Sequence, residues 1–100
     1  MMRVIAKRTL REFWTSKPQY SDAEDALSAW HSICLKAQWH GPSDVKDTFR
    51  SASFVKSNVV FNIAGNKYRI VVNIDYERLA MFIKFVGTHK QYDEIDVGSL

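Results

Sequence analysis

The spacing of apolar residues along this chain changes near residue 58. Before that point apolar positions recur every three or four residues, and after it they alternate in twos. "RVIA" (3–6) opens the chain as a short strand. In "TLREFWTSK" (9–17), Leu10, Phe13 and Trp14 form a helical stripe. Thr9 and Glu12 have the form of a capping box, and Pro18 stops the helix. A second helix begins near Ser21 and Glu24, another capping-box pair, with Asp22 and Asp25 where the helix dipole favours acids. Ala26, Leu27, Trp30, Ile33, Cys34 and Ala37 follow at helical spacing. "HGP" (40–42) ends it: Gly41 suits a left-handed cap and Pro42 blocks continuation. A short link between the helices predicts an antiparallel hairpin.

"SDVKDTFRSASFVKS" (43–57) has no clear period. Ser43 can cap one helical turn through Phe49, with Val45, Phe49 and Phe54 anchoring the segment. Three strands follow: "VVFNI" (59–63), "YRIVVNID" (68–75) and "LAMFIKFV" (79–86). The turns "AGNK" (64–67) and "YER" (76–78) are short, so the strands run antiparallel. Alternation sends Tyr68, Ile70, Val72 and Ile74 to one face, the natural core face under the helices. Arg69, Val71, Asn73 and Asp75 go to the open face. A helical turn at "YDEI" (92–95) closes the pattern. The predicted fold is α+β, a two-layer β-α-α-β-β-β arrangement with a mostly antiparallel sheet covered on one face by a helix hairpin.

One hundred residues make one domain, 1–100, of globular composition: 46% hydrophobic, 25% charged. The apolar runs are too short to span a bilayer, and "MMRVIAKRTL" lacks a signal-peptide core. Cys34 is alone, so no internal disulfide forms; a reducing, cytoplasmic setting is expected. The net charge of +3 is unevenly spread. Arg3, Lys7, Arg8, Arg11 and Lys17 face only Glu12 within residues 1–20, and Arg50, Lys56, Lys67 and Arg69 face no acid within 48–74. Two basic segments of this kind can form a patch toward an anionic partner.

Candidate chemistry gathers in "THKQYD" (88–93) and at Arg69. A guanidinium can grip two phosphate oxygens, or simply be solvated on an exposed sheet face. His89 can move a proton near neutral pH, Lys90 can neutralise a phosphate, Tyr92 can exchange a proton, and Asp93 can orient an imidazole. The same six residues also read as a strand end in which Thr88 caps a helix. His31, His40 and His89 show no metal-ligand spacing, and neither a phosphate-binding glycine loop nor a nucleophilic-serine motif is present. His31 and His40 read as structural, and Trp14, Trp30 and Trp39 as packing residues.

Residues 59–93, above all "FNIAGNKYR" and "THKQYD", closely resemble the HigB-type toxins of bacterial type II toxin–antitoxin systems, in the RelE-like superfamily. "RVIAKRTLREFW" and "SDVKDTF" fit the same family, so the resemblance covers nearly the whole chain. It implies a compact RelE-like fold and an endoribonuclease that cleaves mRNA in the ribosomal A site without metal or other cofactor. It also implies a HigA-like helix-turn-helix antitoxin, with operator DNA reached only through that complex. Carried over by position, Arg69 matches the phosphate-stabilising arginine, and His89, Lys90, Tyr92 and Asp93 the catalytic cluster. Arg50, Lys56 and Lys67 match a general habit of basic, RNA-facing residues. Which of His89 and Tyr92 serves as base stays open. Two other readings remain beside this one: an inert RelE-like interaction module, and an RNase acting on free RNA.

Overall fold

The computed structural model describes residues 2–100. The elements run β1 (Arg3–Ile5), α1 (Lys7–Ser16), α2 (Ala23–Lys36), α3 (Pro42–Thr48), β2 (Ser53–Val55), β3 (Asn58–Ile63), β4 (Tyr68–Asp75), β5 (Ala80–Thr88) and α4 (His89–Asp93). Single 3-10 turns at Pro18–Tyr20 and Val97–Ser99 complete them. The sheet order is β1-β5-β4-β3-β2. β1 lies parallel to β5 and the other neighbours are antiparallel. The α+β architecture, the long helices and the three alternating strands are as the periodicity predicts.

The main core lies between the helices and one sheet face. Leu10 from α1 and Leu27, Trp30 and Cys34 from α2 are buried against Phe61, Tyr68, Ile70, Val72 and Met81. Each fully buried side chain of Leu size contributes about 1.5–3 kcal/mol. Trp30 meets Phe61 edge to face at 5.4 Å, and Phe49 bridges Phe61 (5.0 Å) and Trp39 (6.0 Å). Trp30 and Trp39 are thus core residues, and Trp14 packs against the same core. Burial pushes the Cys34 thiol up, in keeping with a small core residue. Buried His31 has its pKa lowered by burial, with nearby Lys7 adding to the effect.

Several local expectations are corrected. α1 begins at Lys7 with Ala6 as its cap, so Thr9 lies inside the helix and forms no capping box. Ser21 and Glu24 form none either. Asp22 holds the cap position of α2, and its carboxylate is taken by Lys67 and Tyr68. α2 stops at Lys36, where Ala37 turns extended and lets Trp39 swing into the core. Gly41 is extended (φ −173°) rather than left-handed. It caps α3, and Pro42 starts that helix, as proline does at a first helical position. His40 accordingly lies in an extended link, its N–H donating to Asp44. Ile33 and Phe54 remain well exposed.

The aperiodic 43–57 segment supplies both α3 and a fifth strand, β2, at the sheet edge. The face expected to be open is half covered. The chain after β5 folds back across it and buries Val60, Val71 and Val97, with Val55, Phe85, Tyr92 and Ile95 around them. No described helix is long and apolar enough to cross a membrane.

Candidate active site

The β3–β4 turn fixes where β4 starts. Ala64 and Gly65 take left-handed φ values of 54° and 69°, and Lys67 N–H donates to the Ala64 carbonyl. Tyr68 then enters the core under the helices, so Arg69 goes to the opposite face. There it pairs across the sheet with Asn62 of β3 and Gly87 of β5.

β5 ends at Thr88 in a complete capping box. Gln91 N–H donates to Thr88 Oγ1 (3.1 Å), and Thr88 N–H donates to Gln91 Oε1 (2.9 Å). α4 therefore begins at His89, three residues before the expected "YDEI" turn. His89 N–H donates to the Lys67 carbonyl (3.2 Å), which ties the helix to the β3–β4 turn. Gly87 leaves the room this fold-back needs. A Cβ there would stand 2.7 Å from Gln91 Oε1 and 2.6 Å from Phe85 Cζ.

The fold-back brings four sequence-selected residues into two touching pairs. The Arg69 guanidinium lies 5.0 Å from the centroid of the Tyr92 ring. His89 Nδ1 lies 3.1 Å from Asp93 Oδ2, one helical turn on, with both side chains solvent-accessible. That contact occupies one imidazole nitrogen and leaves Nε2 outside it. Asn66 Oδ1, which the sequence reading overlooked, accepts a long bond (3.5 Å) from Arg69 Nη2. Arg69 Nε is buried, and no described residue accepts its proton. A guanidinium fixed by an aromatic ring and paired with no described carboxylate is suited to an anion.

The other basic candidates stand apart. Lys90 is exposed on α4. Arg50 lies in the turn before β2, at the Asn62 end of the sheet by strand register. Lys56 lies at the opposite end, in the β2–β3 turn, its side chain against Gly98. The Lys67 ammonium is engaged by Asp22 on the helix side, away from Arg69. The pair raises the pKa of Lys67 and lowers that of Asp22, while burial is the main cause raising that of Tyr68, whose hydroxyl donates to Asp22. Among the described residues, no group of three or more His, Cys, Asp or Glu is placed to hold a metal ion.

Thr88, Gln91 and Gly87 position the cluster. The Thr-x-x-Gln spacing was a visible signal for the first two; nothing local marked Gly87.

A family model described as HigB toxin, the RelE-like toxic component of a toxin–antitoxin system, matches residues 23–95, a span that holds every residue of this cluster. The chain is 28% identical over 95 residues to the mRNA interferase toxin HigB of Escherichia coli (strain K12), covering 92% of this chain and 88% of that protein. The same values hold for the mRNA interferase HigB of Shigella flexneri.

Proposed function

The chain belongs to the HigB toxin family, the RelE-like toxic component of a toxin–antitoxin system, and from that premise we propose that it is an endoribonuclease acting on mRNA in the ribosomal A site. The similar proteins in Escherichia coli and Shigella flexneri are named mRNA interferases, which supports the reaction class. In this reading residues 1–100 act as one domain in the cytoplasm. A HigA-like helix-turn-helix antitoxin neutralises it, and operator DNA is met only through that complex.

RNA carries its own nucleophile in the ribose 2′-OH. The protein has to take that proton, stabilise charge on the phosphate and return a proton to the departing 5′-oxygen. His89 Nε2 is the base; Asp93 on Nδ1 (3.1 Å) fixes the ring and stabilises the imidazolium that forms. The 2′-oxygen attacks phosphorus, the bond to the 5′-oxygen breaks, and the Tyr92 hydroxyl donates to that oxygen. Arg69 holds the non-bridging oxygens as their charge grows, with Lys90 assisting. Arg50 and Lys56 remain candidates for the RNA backbone further out. Lys67, engaged by Asp22, serves this reading chiefly through its carbonyl, which holds His89.

The observation carrying this reading is the Arg69–Tyr92 contact beside the His89–Asp93 pair, on the face away from the long helices. Cleavage of reporter mRNA on translating ribosomes tests it. Arg69→Ala and His89→Ala should each lower cleavage by at least about 100-fold and relieve growth arrest. Full activity in both variants would sink this site. A protein that neither cleaves nor arrests growth would be the inert module, and cleavage of naked mRNA at the same rate would remove the ribosome from the proposal.

A further inference from the structure

The second sheet face is covered unevenly. The chain after β5 packs over Val55, Val60 and Val71 but leaves the β1 side bare. There Ile5 and Phe82 stand in register on neighbouring strands, 37% and 39% exposed. Arg3, two residues before Ile5 on the edge strand, is exposed on the same face.

A β-bulge adds a second cation. Val71 pairs with Phe85 and Val72 with Ile83, which leaves Lys84 unpaired between them. Ile83 and Val86 pack into the helix-side core while Phe85 packs on the other face. Lys84 and Phe85 therefore both point to the second face. Along β5 this face shows Phe82, Lys84 and Phe85, and then Gly87, which lies opposite Arg69. Phe82 pairs with Asn73, four residues along β4 from Arg69, or about 13 Å away.

We propose that this strip is a platform for single-stranded RNA running out of the catalytic site. One base stacks on Phe82 beside Ile5, and Arg3 and Lys84 neutralise the flanking phosphates. The proposal rests on the ribonuclease reading. Charge favours RNA as the occupant. Asp75, an acid on this part of the face, is held by the Arg78 N–H (3.0 Å) and lies 3.9 Å from its guanidinium. Size points the same way: two partly exposed side chains fall far short of the roughly 800 Å² per partner of a stable protein interface. The strip also lies on the same sheet face as Arg69, about 13 Å along β4.

The test is fluorescence anisotropy with a labelled 2′-O-methyl oligouridine about ten nucleotides long. It lacks the nucleophile, so binding is read without cleavage. Phe82→Ala should weaken binding about tenfold, and Phe82→Trp should restore it. Lys84→Ala should lower the slope of log affinity against log salt by about 0.7. The charge reversal Lys84→Glu, at an exposed position, gives a second variant that does not depend on core packing. Wild-type affinity in both Phe82→Ala and Lys84→Glu would overturn the platform. So would loss of binding to co-expressed antitoxin, or of self-association, with RNA affinity intact, because the face would then belong to protein. The catalytic reading fails separately: oligouridine binding that depends on Phe82 in a protein that cleaves no mRNA would leave the platform standing without the nuclease.

Discussion

Gly87→Ala asks whether the turn after β5 is held by the room at this one position. The added Cβ would stand 2.6 Å from Phe85 Cζ and 2.7 Å from Gln91 Oε1, both inside van der Waals contact. Gln91 is the easier to move, but its Oε1 accepts the Thr88 N–H of the capping box. Moving it forfeits a cap worth about 1 kcal/mol. Phe85 must repack whether or not Gln91 moves, at about 1–3 kcal/mol for overpacking. Gly87 is not in the left-handed region, so alanine gains about 0.4–1 kcal/mol through a less free unfolded chain. The net loss is then about 1–3.5 kcal/mol, or roughly 4–28 °C in Tm for a domain of this size. Activity should fall further than stability, because His89, Tyr92 and Asp93 all sit on the displaced helix. The assays are a thermal melt by circular dichroism and mRNA cleavage at a temperature where the variant is folded. Gly41→Ala is the control: its position is extended with nothing within 4 Å, so its effect should stay within about 0.5 kcal/mol. A Gly87→Ala protein that melts and cleaves like wild type would refute the reasoning.

Tyr92→Phe keeps the ring over Arg69 and removes only the hydroxyl, so it should melt like wild type yet cleave about 100-fold more slowly; near-normal cleavage would take the proton-donor role from Tyr92. Two groups contribute to the acid limb of stability. His31 has a folded pKa below its unfolded value, so its contribution is present when it is neutral and fades as pH falls through about 6.5 and below. Asp22, lowered by Lys67 and Tyr68, contributes above about pH 4 and loses that contribution as pH falls through its folded pKa. Urea unfolding against pH should therefore show a shallower slope near pH 6 in His31→Gln and a shallower slope below pH 4 in Asp22→Asn, with equal slopes in all three proteins as the contrary result. Leu27→Ala, at a fully buried position, should lose about 2–5 kcal/mol in the same urea experiment, and a loss under 1 kcal/mol would mean the α2–sheet core is not closed as described.

The most legible elements were those with enough residues to show a period, although the short β1 at "RVIA" and a helical turn from Ser43 to Phe49 were legible too. β4 alternates over Tyr68–Asp75, and this alone assigns Arg69 to the face that α4 later meets. α3 and β2, at seven and three residues, are too short for a period to stand out. Caps were less legible, because a side chain close in sequence competes with partners that are not. Asp22 holds the cap position of α2 with its carboxylate drawn to Tyr68, 46 residues away, and the expected Ser21–Glu24 box did not form. Thr88 and Gln91 had no such rival and closed theirs. Lys67 was selected for its charge, whereas its direction depended on the same distant contact with Asp22. Cover on the second face had a signal in Ile95 and Val97, two apolar residues in a polar tail, but their target was a tertiary fact.

As a strand end, "THKQYD" also sets the geometry of the proposed catalytic tip. A five-residue helix has no stability of its own. This one is held by the Thr88–Gln91 box, by His89 N–H on the Lys67 carbonyl and by Tyr92 over Arg69. The cap fixes His89 as the first helical residue. From that start Asp93 must fall one turn on, beside the imidazole, and Tyr92 must turn back toward the sheet. Shifting the start by one residue would rotate the helix side chains by about 100° and take Tyr92 off Arg69. The polar strand end thus sets the angle at which the proposed proton-transfer groups meet the arginine, and on that proposal damage to the cap should appear in the rate before it appears in the fold.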